Sequence, residues 1–294
     1  MIESAQLELG VIGNCQIAAL IDVQARIVWC CLPRPDGDPV FSALLQASAE
    51  HADAPPTHDT ATTTAAPAGV FAIDLCDLVD AGHAYVRNTA VLVTTLQDAH
   101  GNALRVTDFC PRFRSRGRMF RPMTLVRLVE PIAGRPIARI RIDPSADYGA
   151  SRPQRRAGSN HLSFESDGLA WRITTETSLS SILEGRPEVI ERPQAFVLGP
   201  DESLSEAPLP LARRWLGETL DYWRDWVRTL AIPFEWQDAV IRAAISLKLC
   251  TYEDTGAVLA ALTTSIPEAP GSGRNWDYRY CWLRDAYFVV QALN

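Results

Sequence analysis

The sequence predicts a mainly β chain that begins with an antiparallel β-sandwich and ends in helices. Up to about residue 200, short runs rich in β-branched and aromatic residues alternate with turn signals, which is typical of an antiparallel sandwich. From Leu211 onward, apolar residues instead recur at helical spacing. Hydrophobic residues make up 47% of the 294 residues and charged residues 21%, which indicates a globular protein with a sizeable core.

The β-rich half contains two hairpins among its predicted strands. The strand predictions are residues 16–22, 26–32, 70–75, 85–97, 103–109, 124–130, 137–142, 162–164, 170–175 and 195–198. The first two strands form a hairpin, after which the Pro-rich residues 33–39 force a turn. Residues 98–102 close the second hairpin, because Gly101 and Asn102 are suited to a tight turn.

Two segments interrupt the predicted strands. Residues 46–69 are rich in Ala, Thr and Pro, and this composition predicts a flexible insertion in a surface loop. A basic run also occurs between two prolines, and its members are Arg112, Arg114, Arg116, Arg118 and Arg121. A solvated loop is the ordinary interpretation of such a run, and a site for a ligand phosphate or a partner is the alternative.

Helical patterning follows the β-rich half. Residues 211–230 predict an amphipathic helix. Residues 236–252 predict a second helix that is apolar around most of its circumference and should therefore be buried on several sides. Pro233 separates the two helices. An apolar segment at residues 257–262 follows, and residues 286–293 predict the opening turns of a third helix.

Composition and charge exclude several classes of protein. The formal net charge of −7 disfavours nucleic acid as the main partner. No run reaches the roughly eighteen apolar residues of a membrane helix, and the N-terminus lacks the pattern of a signal peptide. The seven cysteines form no C-x-x-C pair, and no His/Cys/Asp cluster has the spacing of metal ligands. We therefore expect a cytoplasmic protein with reduced thiols, no membrane partner, no metal and no cofactor.

The stretch richest in chemical information is residues 271–285. Its aromatic residues occur at every second position: Trp276, Tyr278, Tyr280 and Trp282. An extended segment would place these four side chains on one face and the residues between them on the other. Arg284 and Asp285 follow, and they open a helix.

This combination is typical of a site for a sugar. The C–H faces of a pyranose pack on aromatic rings, and its equatorial hydroxyls require donors and acceptors. An adjacent arginine and aspartate can hold neighbouring hydroxyls, because the first donates and the second accepts hydrogen bonds. An ordinary structural explanation is also available. Aromatics at period two are commonly the buried face of a strand, and Arg–Asp neighbours are commonly surface pairs.

Several segments closely resemble one enzyme family. Residues 255–268 and 274–285 resemble the start of the catalytic domain in bacterial family 15 glycoside hydrolases of the glucoamylase/trehalase type. Residues 12–22, and residues 124–134 leading to 147–149, resemble other parts of the same proteins. Together these segments extend the resemblance over nearly the whole chain.

The resemblance implies a specific architecture and reaction. It implies an N-terminal β-sandwich over residues 1–200, a helical linker over 201–235, and the incomplete start of an (α/α)6 catalytic barrel over 236–294. The activity implied is hydrolysis of α-glucosidic bonds with inversion. The substrates implied are oligosaccharides or disaccharides, namely starch-type chains, dextran-type chains or trehalose.

The resemblance also assigns residues of the motif to substrate binding. Arg284 and Asp285 match the pair that contacts the glucose on the non-reducing side of the cut. Tyr278 matches the tyrosine beneath that sugar, and Trp282 matches a tryptophan that lines the pocket. Leu262 stands where the family commonly has a proline, which puts in doubt the path of the segment entering the site. Residues 144–147 also depart from the family pattern, and this change concerns only the sandwich.

No catalytic residue is predicted within the chain. In the family, the general acid and the general base are glutamates well downstream of the Arg-Asp motif, so both are expected beyond Asn294. The 294-residue chain is accordingly expected to be inactive. The carboxylates near the motif are expected to have structural roles: Glu253, Asp254, Glu268 and Asp277.

Two alternative functions remain open. A glycoside phosphorylase of similar architecture would use phosphate instead of water. A non-catalytic carbohydrate-binding or interaction module would be the natural activity of this chain alone. The sequence makes no prediction of the oligomeric state.

Overall fold

A computed structural model gives the fold and describes residues 8–45, 69–263, 272–273 and 275–293. The predicted insertion at residues 46–69 lies outside the described residues except for its last position. In chain order, the strands are β1 (Leu9–Gly13), β2 (Ala18–Asp22), β3 (Ile27–Leu32), β4 (Asp38–Phe41), β5 (Val70–Leu75), β6 (Leu78–Tyr85), β7 (Leu92–Asp98), β8 (Ala103–Phe109), β9 (Phe113–Ser115), β10 (Arg118–Phe120), β11 (Leu125–Ala133), β12 (Ile137–Asp143), β13 (Gln154–Ala157), β14 (His161–Ser166), β15 (Leu169–Thr175), β16 (Glu188–Val189), β17 (Gln194–Pro200), β18 (Thr251–Tyr252) and β19 (Ala257–Val258). The helices are α1 (Leu179–Glu184), α2 (Pro208–Val227), α3 (Gln237–Leu249) and α4 (Leu283–Leu293).

Two large antiparallel sheets dominate the first two thirds of the chain. The first sheet has the order β1-β2-β3-β5-β12-β16, with β4 also paired to β3. The second has the order β13-β14-β15-β17-β11-β8-β7-β6. Both predicted hairpins are present, as β2–β3 and as β7–β8. The mainly β prediction is therefore confirmed.

The two sheets pack face to face around one main hydrophobic core. Phe71 of the first sheet meets Phe196 of the second at a ring-centroid distance of 5.6 Å. Phe41 and Trp171 make a similar contact at 6.2 Å. Both pairs are edge-on, which is a favourable geometry for aromatic rings.

Strand β17 is buried on both faces of the sheet, and its successive side chains point alternately to the two faces. Phe196 and Leu198 point into the main core between the sheets. Ala195 and Val197 point to the opposite face, where they join a second cluster with Ala212 of α2. Helix α2 thus covers the outside of the second sheet, which is why this strand is an almost continuous apolar run.

One charged pair lies in the sandwich interior, between neighbouring strands of the second sheet. Arg127 of β11 and Asp108 of β8 are both fully buried, with contacts of 2.7 and 3.1 Å between the guanidinium and the two carboxylate oxygens. The same guanidinium donates to the carbonyl of Phe71 in the first sheet at 2.7 Å, and to the carbonyl of Ala25. Arg127 therefore connects the two sheets through its side chain.

The helices begin and end close to the predicted positions. Helix α2 occupies Pro208–Val227 instead of 211–230, and α4 begins at Leu283 instead of residue 286. The second predicted helix, 236–252, ends at Leu249, because Thr251–Tyr252 pairs with Ala257–Val258 as a short hairpin. None of the described helices is long and apolar enough to cross a membrane.

Helix α3 packs against α2. Its Ile241, Ile245 and Leu249 join a cluster with Trp223 and Val227 of α2. The exposed positions of α3 include Ala239 and Ala243. Within the described residues α3 also contacts β1, β18 and α4, so it is packed on more than one side, and its exposed positions lie mainly in its first turn.

Candidate functional site

The polar part of the aromatic motif forms a tight turn. The Asp277 carboxylate accepts a hydrogen bond from the backbone N–H of Arg279 at 3.0 Å. It also pairs with the Arg279 guanidinium, at 2.8 Å from Nε to Oδ1 and 2.5 Å from Nη2 to Oδ2. These hydrogen bonds from Arg279 lower the pKa of Asp277. A carboxylate held ionised in this way is a structural acceptor and is poorly suited to donate a proton as a general acid.

The turn also decides how the aromatic residues of the motif are arranged. The four aromatic side chains do not share one face of an extended segment, because residues 278–280 turn instead of continuing as a strand. The physical reason is the capture of the Arg279 N–H by the Asp277 side chain, an interaction that competes with extended backbone. Trp276 and Tyr280 remain substantially exposed.

Two of the four aromatics come together across this turn. The rings of Tyr278 and Trp282 stack with a centroid distance of 6.1 Å and an interplanar angle of 17°. The indole N–H of Trp282 donates to the carbonyl of Asp277 at 3.4 Å, which ties the ring to the turn. These are the two aromatic residues that the family resemblance assigns to the substrate.

Arg284 and Asp285 lie in the first turn of α4, as the sequence predicts. The guanidinium Nη2 and the carboxylate Oδ2 are 3.2 Å apart, and the side chains are 73% and 41% exposed. A guanidinium has five N–H donors, so a single contact to Asp285 leaves most of them for another acceptor. Asp285 also lies beside the N-terminal end of the helix, where negative charge is favoured.

The structure thus forms two pairs that follow each other closely in the chain. The stacked Tyr278–Trp282 rings offer an apolar surface, and the Arg284–Asp285 pair offers charged donors and acceptors. Only Leu283 lies between Trp282 and Arg284. This placement joins the two kinds of group that a pyranose requires.

The short β18–β19 hairpin, which precedes the motif, is held against the sandwich by ion pairs that the sequence does not predict. Arg112 Nη2 lies 2.5 Å from Glu253 Oε2, and Arg121 pairs with Asp254. The solvated-loop interpretation of the basic run is therefore wrong for Arg112, which is buried, and for Arg121. The reason is that their acidic partners lie more than 130 residues further along the chain.

The rest of the basic run fits the solvated interpretation. Arg114, Arg116 and Arg118 are exposed on the β9–β10 hairpin. Glu268 lies outside the described residues. Within the described part of the chain, no group of three His, Cys, Asp or Glu side chains is arranged to hold a metal ion.

The cysteines are free thiols in different environments. Burial raises the pKa of the Cys30, Cys31 and Cys110 thiols, and it raises the pKa of Cys250 to about 11. Cys281, within the aromatic motif, is exposed.

Comparison with known protein families agrees with this geometry. The family described as "Trehalase-like, N-terminal" matches residues 3–181, which include most of both sheets. The chain belongs to this family. The family described as "Glycosyl hydrolases family 15" matches residues 236–294, the part that contains α3, the short hairpin and the Tyr278–Asp285 motif. These matches confirm the resemblance inferred from the motifs of the sequence.

Curated relatives give the same result over a longer range. A protein named trehalase from Thermoplasma volcanium is 31% identical over 293 residues, which cover 97% of this chain and 44% of that protein. Trehalases from Mycolicibacterium smegmatis and Thermoplasma acidophilum are 30% and 31% identical over 317 and 284 residues. These alignments cover 97% and 93% of this chain, but 44% and 45% of the relatives. The chain therefore spans less than half the length of these relatives.

Proposed function

We propose that this chain is the N-terminal portion of an inverting α-glucosidic hydrolase that acts on trehalose. Family membership supports a glycoside hydrolase, and the relatives named trehalase favour this disaccharide over starch-type or dextran-type chains. In this proposal, residues 1–200 are the sandwich domain, 201–235 the helical linker, and 236–294 the first elements of an (α/α)6 barrel.

The observation that carries the proposal is the arrangement of the two residue pairs in the motif. The stacked rings of Tyr278 and Trp282 supply a surface for the C–H face of a glucose unit. Arg284 donates to the hydroxyls of that glucose, and Asp285 accepts from them. All four groups lie within residues 278–285, in one turn and the first helical turn that follows it. In this proposal one glucose unit engages both pairs.

The proposal places the chemical step on groups outside residues 1–294. Inverting hydrolysis requires a carboxylic acid that protonates the leaving oxygen and a carboxylate that activates water, about 6.5–9.5 Å apart. The carboxylates of Asp254 and Asp277 are paired with arginines, and this pairing lowers the pKa of both groups and favours the ionised form that cannot act as the acid. Glu253 is paired with Arg112. Substrate binding, not proton transfer, is therefore the proposed role of this chain.

The stereochemistry of trehalose hydrolysis tests the proposal. The 294-residue chain and a polypeptide that continues beyond Asn294 are each incubated with trehalose, and glucose anomers are followed by proton NMR before they equilibrate. Trehalose has two α-linked glucose units, so inversion at one of them yields equal initial amounts of α- and β-glucose from the longer polypeptide. The 294-residue chain should release none.

Three outcomes would contradict the proposal in different ways. Initial release of α-glucose alone would indicate retention instead of inversion. Formation of glucose 1-phosphate in phosphate buffer would indicate a phosphorylase. Release of glucose by the 294-residue chain would mean that a carboxylate within it, with Glu268 and Asp277 the first candidates, is catalytic.

A further inference from the structure

We propose that Arg112 and Trp29 of the sandwich are positioning residues for the sugar site. They hold residues 250–263, the segment that leads from α3 into the Tyr278–Asp285 motif. This inference rests on the proposed function only in calling that motif a sugar site.

Arg112 connects three parts of the chain at one buried point. Its Nη1 donates to the carbonyl of Asn14 in the β1–β2 turn at 2.7 Å. Its guanidinium lies 4.8 Å from the ring centroid of Tyr222 on α2, and its Nη2 contacts Glu253 at 2.5 Å. A guanidinium that is almost fully buried requires such partners, because removing its charge from water is costly. Glu253 supplies the only opposite charge in these contacts.

Further contacts bind the β18–β19 hairpin and the end of α3 to the β1–β2 turn. The backbone N–H of Glu253 donates to the carbonyl of Cys15 at 3.0 Å, and the thiol of Cys15 contacts the carbonyl of Lys248 at 3.3 Å. The amide of Gln16 lies 3.4 Å from the hydroxyl of Tyr252. The turn between β18 and β19 is therefore held on its sandwich side by backbone as well as by charged groups.

Trp29 holds the far end of the segment. It belongs to β3 but not to the main core, and its indole N–H donates to the carbonyl of Leu262 at 3.0 Å. Trp29 is almost fully buried, so its orientation is fixed by packing. Leu262 is the position at which this chain departs from the proline common in the family. The hydrogen bond from Trp29 sets the path of the backbone at this position.

The segment in turn contacts the helix that bears the sugar-binding pair. Strand β19 packs against α4, and α4 also touches α3. The β18–β19 hairpin has only two residues in each strand, which is too short to be stable by itself. Its geometry, and through it the placement of Arg284 and Asp285, therefore depends on the contacts with the sandwich.

Hydrogen–deuterium exchange on the 294-residue chain tests this dependence. Glu253→Gln neutralises the half-exposed partner of Arg112 and leaves the buried guanidinium in place. Trp29→Phe removes the indole N–H donor and part of the aromatic ring. The matched controls are Glu235→Gln, at an exposed glutamate before α3, and Trp171→Phe, at a buried tryptophan of the main core.

We expect Glu253→Gln to raise exchange about tenfold at residues 251–258 and in α4, with β8 unchanged. Trp29→Phe should raise exchange at residues 259–263 and in α4. The control variants should leave α4 as it is. Unchanged exchange in α4 for both test variants, or an equal rise in the controls, would overturn the inference.

A kinetic readout separates positioning from general stability. In a polypeptide that hydrolyses trehalose, Glu253→Gln should raise KM several-fold while kcat changes by less than about twofold, because ground-state sugar contacts are displaced. Glu253→Asp, which keeps the charge, should restore part of the loss.

An unchanged KM would refute the positioning role. Absence of trehalose hydrolysis by the unmodified polypeptide would refute the proposed function, and the exchange result would still decide whether the sandwich positions α4.

Discussion

Replacement of Asp108 by asparagine should lower the free energy of unfolding by about 3–5 kcal/mol. Two features of the structure support this loss of stability. Both side chains of the Arg127–Asp108 pair are fully buried, so the charge left on Arg127 cannot be solvated in place. The guanidinium is also held by the carbonyls of Phe71 and Ala25, so it cannot swing toward water without breaking the bridge between the sheets.

A second ion pair of the sandwich provides the internal comparison. Arg141 Nε lies 2.9 Å from Asp74 Oδ2 across β12 and β5, but these side chains are 20% and 36% exposed. Water screens such a pair, so Asp74→Asn should cost about 0–1 kcal/mol. The two variants make the same chemical change, and they differ chiefly in burial.

Urea unfolding at pH 7, followed by far-UV circular dichroism, measures both values. Asp108→Asn should lower the free energy of unfolding by at least about 2 kcal/mol more than Asp74→Asn does, and the dependence of that free energy on urea should be similar for the two variants. Equal losses for the two variants would refute the argument that burial and the inter-sheet bridge decide the cost.

Two further predictions concern exposed groups near the site. The 294-residue chain should bind the hydrophobic dye ANS, because Leu283 and Phe288 of α4 are 87% and 63% exposed. Phe288→Ser should reduce the ANS fluorescence. Val79→Ser on the edge strand β6 should not change it. Equal fluorescence of all three chains would contradict this reasoning. With Ellman's reagent, Cys281 should react first, since burial raises the pKa of Cys30, Cys31 and Cys110. A fast phase that survives in Cys281→Ser would show that another thiol is the accessible one.

Strand prediction succeeded where burial gives a clear pattern. Residues 70–75 and 103–109 match β5 and β8 at both ends, because both runs are rich in β-branched or buried residues bounded by turns. The strand predicted at 85–97 is instead divided, since β6 ends at Tyr85 and β7 begins at Leu92. The turn between them is stabilised by the Thr89 hydroxyl, which donates to the carbonyl of Val86.

Other elements lacked a sequence signal. Strand β13 (Gln154–Ala157) is exposed along its whole length, so it shows no alternation of apolar and polar residues. Strand β6 is an edge strand in which half of the side chains are exposed and none is fully buried, so it also lacks a run of buried apolar residues. Pairing with a neighbouring strand, which local sequence does not encode, is what makes these segments strands.

The family resemblance identifies the residues of the candidate site, but it does not predict their local geometry. The resemblance identifies the motif residues Tyr278, Trp282, Arg284 and Asp285, but the spacing of the aromatic residues does not predict the turn at residues 278–280. One side-chain hydrogen bond decides that difference. The fastening of Glu253 by Arg112 depends on contacts between residues far apart in the chain, and no local pattern predicts them.

The kinetic effect of Asp285→Asn decides whether this aspartate binds the sugar. The substitution keeps the size of the side chain and removes its charge, and a lost charged hydrogen bond to a sugar hydroxyl costs about 1.5–3 kcal/mol. The measurement is kcat/KM for trehalose in a polypeptide that extends beyond Asn294, with Asp238→Asn, an exposed aspartate in the first turn of α3, as the matched control. We expect kcat/KM to fall roughly 10- to 150-fold for Asp285→Asn and to stay near the unmodified value for the control. A kcat/KM close to that of the unmodified enzyme for Asp285→Asn would contradict the assignment of this motif to the sugar.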